Sequence, residues 1–441
     1  MTTSRRDFIK QSSQFVAASG LSGILTNETF ANTKILNANE KLVVGLIGAK
    51  GMGNHILQQH LKQPGVECGA ICDIDDSILN MRAVEVEKIQ GKKPKMYKDF
   101  RKLLEDKSID AIIIGTPDHW HCLIMVMACQ AGKDVYVEKP MANSMEECNI
   151  MVKAARKYNR VVQVGQQQRS GEQWQKIMKL IKEGKIGQLR KINVWANFNY
   201  GIGQLKVPDE PVPKGVDFDM WLGPAPQRTF NKSRFHGSWR MFYDYGGGLI
   251  TDWGVHLMDM ALWAKDVMKA PKSVFSTGGL MSYADHAHET ADTQSVVYQL
   301  DDYTINWDHT AGTQIGPYNK NYGLAFIGND ATIVANRESW EMFSETEDGK
   351  YKVPLIPPQF GKESHEEHVK NFIECIKSRK DPNCTVEIAR VAAMYTHMGN
   401  ISLRTNSALF WDEGINNFKN NPEANRLLVP NYRKPWVLPT I

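Results

Sequence analysis

Three side chains of this sequence together could oxidise an alcohol. Lys139, in Glu138-Lys139-Pro140, follows an apolar run and supplies a cation that can donate to a hydroxyl and stabilise the alkoxide formed from it. Asp252 and His256 follow the turn Gly246-Gly247-Gly248, and their spacing of four puts them on one helical face. An imidazole near neutral pH can take the hydroxyl proton, and the carboxylate can orient the substrate or hold Lys139 charged. Taken singly, a lysine of this kind is commonly solvated and an Asp/His pair is commonly a surface pair. The chemistry needs all three, and it needs a hydride acceptor.

The first third of the chain has the pattern that binds one. An apolar strand from Lys41 to Ile47 runs into Gly48-Ala49-Lys50-Gly51-Met52-Gly53, a helical stretch follows, and a second strand ends at Asp73, 25 residues after Gly48. Strand, glycine turn, helix, strand and acid make up a dinucleotide-binding fingerprint, in which glycines let the backbone approach a pyrophosphate at the helix N-terminus and the acid takes a ribose hydroxyl. The second glycine of the usual pattern falls on Lys50, and Gly51 is the spare one. Contacts are therefore expected from Gly48, Lys50, Gly51, Met52, Gly53 and Asp73. The acids Asp73, Asp75 and Asp76 disfavour a 2′-phosphate, so the cofactor expected is NAD rather than NADP.

Strands expected at 110–115, 134–138 and 161–165 alternate with helices at 119–131 and 145–158. Such alternation gives a doubly wound parallel sheet, a Rossmann domain over 40–160, with ligands at the carboxyl ends of its strands. Polar clusters fall at three such ends, and they place Thr116, Pro117, His119, His121, Glu138 and Gln166 beside the cofactor together with Lys139.

Residues 161–441 read as a second α/β domain with a mainly antiparallel sheet. Hairpins are expected across Asp301-Asp302 and Gly328-Asn329-Asp330, long helices over 364–378 and 386–403, and a surface tail after Phe418. Arg169, Trp239, Arg240, Tyr243 and Trp253, with Lys139, Asp252 and His256, offer the hydrogen bonds and apolar platforms that suit a polyol. His286/His288 and His365/His368 have metal-like spacings without a third ligand, so no metal is expected.

In chain order, Gly48/Gly53, Asp73, Thr116-Pro117, Glu138-Lys139-Pro140, Trp221-Leu222-Gly223-Pro224 and the glycine triplet followed by Asp252 and His256 resemble the Gfo/Idh/MocA family, the glucose–fructose oxidoreductase and inositol dehydrogenase group, over about 40–405. The resemblance implies a Rossmann domain joined to an open antiparallel sheet. It implies NAD(P)-dependent oxidation or reduction of sugars and cyclitols, with Lys139, Asp252 and His256 catalytic. It also implies a cis bond before Pro140 and dimers or tetramers formed through the sheet. Some relatives are NAD-dependent glycosidases that work by transient oxidation at C3. Their Tyr-Pro-Thr-His segment differs from Leu249 to His256 here, which favours a dehydrogenase. A sugar-binding protein without catalysis is the remaining reading.

The chain has 441 residues, with 53 basic against 49 acidic, a balance that gives no reason to expect nucleic acid as a partner. Seven cysteines are too few and odd in number for a disulfide scaffold, and buried free thiols are expected. Ser4-Arg5-Arg6-Asp7-Phe8-Ile9-Lys10, a short apolar stretch and Thr29-Phe30-Ala31 resemble a twin-arginine signal over 1–31. The expectation is a periplasmic or otherwise exported protein that folds first, meets the twin-arginine machinery and carries its cofactor out with it.

Overall fold

The computed structural model describes residues 41–441, and the signal expected over 1–31 lies outside the described residues. Six parallel strands, β1 (Leu42–Ile47), β2 (Val66–Cys72), β3 (Lys95–Tyr97), β4 (Ala111–Ile114), β5 (Asp134–Val137) and β6 (Val162–Val164), form a sheet in the order 3-2-1-4-5-6. Helices cover both faces, so the strands are apolar runs: Ile112, Ile113 and Ile114 are fully buried. Local chemistry fixes the helix ends. Asp75 accepts from Ser77 N at the start of Asp76–Gln90, which ends at Gly91 with φ of 72°. Ser144 and Glu147 form a capping box at the start of Met145–Lys157.

The second sheet has eight strands. In order they are Ile356–Phe360, Ser339–Ser344, Ala331–Ala335, Tyr322–Gly328, β7 (Leu189–Ala196), Thr304–Thr310, Thr293–Gln299 and Ser273–Gly279. All neighbours are antiparallel except β7 with Thr304–Thr310. Alternation sets its faces: Gln294, Val296 and Tyr298 are buried under the helices Gly254–Trp263 and Val386–Arg404, while Ser295, Val297 and Gln299 point outward. Both expected hairpins form.

The strand expected at 161–165 forms as β6 and, just past the boundary drawn at 160, completes the Rossmann sheet. The helix His365–Ser378 returns to it as well, with Val369, Phe372 and Ile376 in the same core as Leu46 and Ile71. The tail lies along the surface, as expected, and is pinned there by Ala424, Leu428 and Trp436, which are buried. Trp436 is 7% exposed, packs edge-on against Trp120 with centroids 4.9 Å apart, and is covered by Arg101. A buried indole outweighs the polar composition around it. All seven cysteines are buried free thiols.

Candidate active site

The turn after β1 begins with Gly48 at φ of +83°, and a Cβ on Gly53 would lie 1.9 Å from the Gly48 carbonyl oxygen. The two glycines thus let the helix Gly51–Leu61 start hard against the strand. No side chain caps that helix, which leaves its first N–H groups free for a phosphate. Asp73, at the end of β2, accepts from Ala49 N (2.7 Å) and Asp75 N (3.1 Å), and burial raises its carboxyl against those bonds. These groups line one cleft with Lys50, Met52, Thr116, Pro117, Glu138 and Lys139. Thr116 Oγ1 is buried without a partner, an open polar position that fits a bound dinucleotide.

The second domain roofs this cleft. Asp76 N bonds Gly215 O and Asp217 N bonds Ile74 O, while His236 Nε2 donates to Asp75 Oδ2 at 3.1 Å. Trp120 Nε1 and His119 Nε2 both donate to the Trp221 carbonyl, at 3.1 Å each, and close the other wall.

At the far end the two domains bring their charges together. Lys139 follows β5, and the Lys139-Pro140 bond is cis. Its Nζ lies 2.5 Å from Asp252 Oδ1 and 3.1 Å from the Asp252 carbonyl. Arg240 Nε is 3.2 Å from the same carboxylate oxygen, with its guanidinium 4.2 Å over Trp239. The Tyr200 hydroxyl donates to Asp252 Oδ2 at 2.8 Å. Burial alone would raise Asp252, but Lys139, then Arg240, hold it well below the ordinary carboxylate range. Asp252 closes one helical turn, Leu249–Asp252, and His256 lies in the next helix, Gly254–Trp263, with the break at Trp253. His256 is buried, and its Nδ1 has no partner. Burial, then Lys139 and Arg337, push its imidazole well below the usual range, which favours the neutral form that a proton acceptor needs and makes it a weaker base than a free imidazole.

Several expected contacts lie elsewhere. His119 is buried behind the wall on the Trp221 carbonyl. Both ring nitrogens of His121 face carbonyl oxygens, Pro140 O at 2.9 Å and Thr116 O at 3.0 Å, so the neutral ring donates to one of them and sits between two strand-end loops, with neither nitrogen turned to a cofactor. Burial pushes both imidazoles down to about 4. Gln166 is buried, and its amide has no hydrogen-bond partner among the described residues. Arg169 is no substrate ligand: Asp259 holds it through paired bonds of 2.7–3.0 Å, over the Trp263 ring. Tyr243 packs under Arg404, 4.4 Å from its guanidinium. Trp239 and Arg240 do line the cleft. Asp118, Tyr200 and His236 were not among the expected contacts. Asp118 sits inside the Thr116–His121 cluster, whose histidines drew attention first. Tyr200 and His236 come from loops whose sequence carries no signal.

The family description "Oxidoreductase family, NAD-binding Rossmann fold" matches residues 42–166, and "Oxidoreductase family, C-terminal alpha/beta domain" matches 170–302 and 348–438. An alpha-N-acetylgalactosaminidase of Shewanella oneidensis is 26% identical over 202 residues, covering 42% of this chain and 44% of that protein. The chain thus spans less than half the length of that relative. An uncharacterised oxidoreductase of Bacillus subtilis, YrbE, is 24% identical over 357 residues, 78% of this chain and 89% of that protein. Among solved structures, the aldose-aldose oxidoreductase of Caulobacter crescentus, complexed with glycerol, superposes with a TM-score of 0.64 at 16% identity, covering 84% of this chain and all of that one. The WlbA dehydrogenase of Bordetella pertussis, in complex with NADH and UDP-GlcNAcA, gives 0.61 at 19%, covering 85% and 99%. These likenesses carry the fold, and the two family matches run from the glycine turn to the tail: the chain belongs to the Gfo/Idh/MocA oxidoreductase family.

Proposed function

We propose that this NAD-binding oxidoreductase oxidises a secondary hydroxyl of a sugar, glycoside or cyclitol. The observation that carries the reading is the buried Lys139–Asp252 ion pair, which joins the two domains at the end of the dinucleotide cleft that Lys139 lines, with His256 four residues on from Asp252. A bound nicotinamide supplies the hydride acceptor. Lys139, pinned by Asp252, donates to the reacting oxygen, and His256 takes the proton at its unpartnered Nδ1. Arg240 adds a second cation, and Tyr200 holds the other oxygen of Asp252 in place. Asp73 and Asp75 at the ribose end oppose a 2′-phosphate, which supports NAD over NADP.

The Arg5-Arg6 segment supports export through the twin-arginine route, and the roof over the cleft supports a cofactor that stays bound outside the cell. The outer sheet face, with Phe275, Val297 and Phe343 exposed, supports a dimer or tetramer. A glycosidase working by transient oxidation is the second reading, favoured by the galactosaminidase relative. Denaturing purified protein should release about one nicotinamide dinucleotide per chain, and a sugar panel read by mass spectrometry should yield a keto-sugar. Release of an aglycone with no net NADH would select the glycosidase. Protein that neither contains nor binds a nicotinamide would remove both readings.

A further inference from the structure

Two guanidinium groups of the second domain lie over indole faces, and their charges are treated differently. Arg169, over Trp263, has Asp259 as counter-ion. Arg337, on the turn between Ala331–Ala335 and Ser339–Ser344, lies 4.6 Å over Trp253 and forms no ion pair with any described carboxylate within 4 Å. Its guanidinium makes one hydrogen bond among the described residues, from Nε to Gln168 Oε1 at 3.0 Å, and its Nη2 is buried without a partner. Guanidinium only donates, so Gln168 turns its oxygen to Arg337. The amide nitrogen of Gln168 is then also buried and unpartnered. The nearby Glu363 is engaged by His365 at 2.7 Å.

The site therefore keeps two unused donors, one of them charged, beside Trp253. That ring is the break between Asp252 and His256, and its centroid is 6.1 Å from the His256 ring. Lys139 and Arg240 face Asp118, Glu138 and Asp252, and Arg337 has Glu363, Glu338 and Asp252 at longer range, so it is the two unpartnered donors, and not the local charge, that call for a ligand. Buried donors left in this state match an oxyanion, which a guanidinium and an amide can grip with two bonds.

We propose that Arg337 and Gln168 form an oxyanion-reading subsite beside His256, and that the substrate is an acidic sugar or glycoside whose carboxylate, sulfate or phosphate oxygens occupy it. This rests on the sugar-oxidation reading for the reaction, though binding alone can test it. The experiment measures binding of galacturonate, galactose 6-sulfate, galactose 6-phosphate and galactose to the holoenzyme by calorimetry. Turnover on the same four follows, with the wild type and Arg337→Gln. The expected result is preference for one acidic sugar over the neutral parent by about 10- to 100-fold, abolished in the variant, while bound nicotinamide is unchanged. Which acid wins identifies the oxyanion. Arg337→Lys should restore part of the preference, because it restores the charge without the fork. A purely structural Arg337 would instead lower binding of acid and neutral sugar alike. Equal binding of all four sugars by the wild type, or an acid preference that survives Arg337→Gln, would overturn the subsite. Acid preference in binding without keto-sugar formation would retain the subsite and remove the oxidation reading.

Discussion

The two ends of the cleft are built on opposite terms. At the dinucleotide end the ligand surface is largely backbone: a glycine turn, an uncapped helix start and strand-end loops with His121 between them. At the reaction end it is mainly side chains, Lys139 from one domain meeting Asp252 of the other, with Arg240 on the same carboxylate and His256 four residues on. Backbone placed by a sheet tolerates changes of charge but not of shape. A buried charge cluster tolerates small changes of shape but not the loss of one member, because the partners left behind stay charged without compensation.

The contrast predicts its largest effect at Lys139. Lys139→Ala should lower turnover by about 10³-fold or more, since it removes the donor at the reacting oxygen and leaves Asp252 with Arg240 as its remaining cation. Bound nicotinamide should stay near the wild-type amount. A variant that loses its cofactor together with its activity would show that the two ends are not separate.

Acid comes next, because it acts on both ends at once. His60, His119, His121, His309, His368 and His397 are each pushed down to about 4 by burial. A histidine whose folded pKa is depressed favours the fold above its unfolded value of about 6.5, and that contribution is lost as pH falls from there towards 4. Each is worth up to roughly 3 kcal/mol. Glu147, pushed up to about 7 by burial, works the other way as the solution is acidified, as do Asp73, Asp118, Glu138 and Asp259, whose carboxyls burial also raises, so they offset the six histidines in part. The urea midpoint should fall by several kcal/mol equivalent between pH 7.5 and pH 5, and less in His121→Asn. A midpoint flat over that range would mean that these rings do not stay neutral.

Gly53→Ala tests the shape side. Its Cβ would meet the Gly48 carbonyl oxygen, so backbone has to move, at a cost of about 2–3 kcal/mol. Cofactor content should drop while the keto-sugar yield per bound cofactor holds. An equal loss at both ends would break the comparison.

The same contrast explains what the sequence made legible. The β-α alternation, the glycine turn and Asp73 are local patterns, and both sheets follow from buried runs and alternation that can be counted along the chain. Lys139, Asp252 and His256 were legible because each sits in a dense local motif, although nothing local says that they meet. Tyr200 was not legible, since its role is a single hydroxyl aimed at Asp252 from 52 residues away. Arg169 misled for the converse reason: its counter-ion Asp259 is 90 residues on, and a strand-end position does not tell whether a guanidinium already has a partner. The return of the helix His365–Ser378 to the first domain was not legible, because it joins that core by tertiary packing alone.

The smallest predicted effect is the most informative about the wall between the two ends. His119 was expected at the cofactor, yet it shares the Trp221 carbonyl with Trp120 Nε1, and its Nδ1 is buried without a partner. Its ring also packs against Trp221 and Tyr245, with centroids 5.9 and 5.3 Å away. His119→Phe would keep those ring contacts and remove an unsatisfied nitrogen. One of two bonds to the Trp221 carbonyl would go, and Trp120 would still hold that oxygen. Gain and loss nearly cancel, so stability at pH 7.5 should change by less than about 1 kcal/mol. Nicotinamide content should not change, because the imidazole lies behind the wall. Trp120 itself lines the cleft and carries Trp436 on its edge, so Trp120→Phe should reduce both stability and cofactor content. Loss of cofactor in His119→Phe with the fold intact would return that histidine to the dinucleotide.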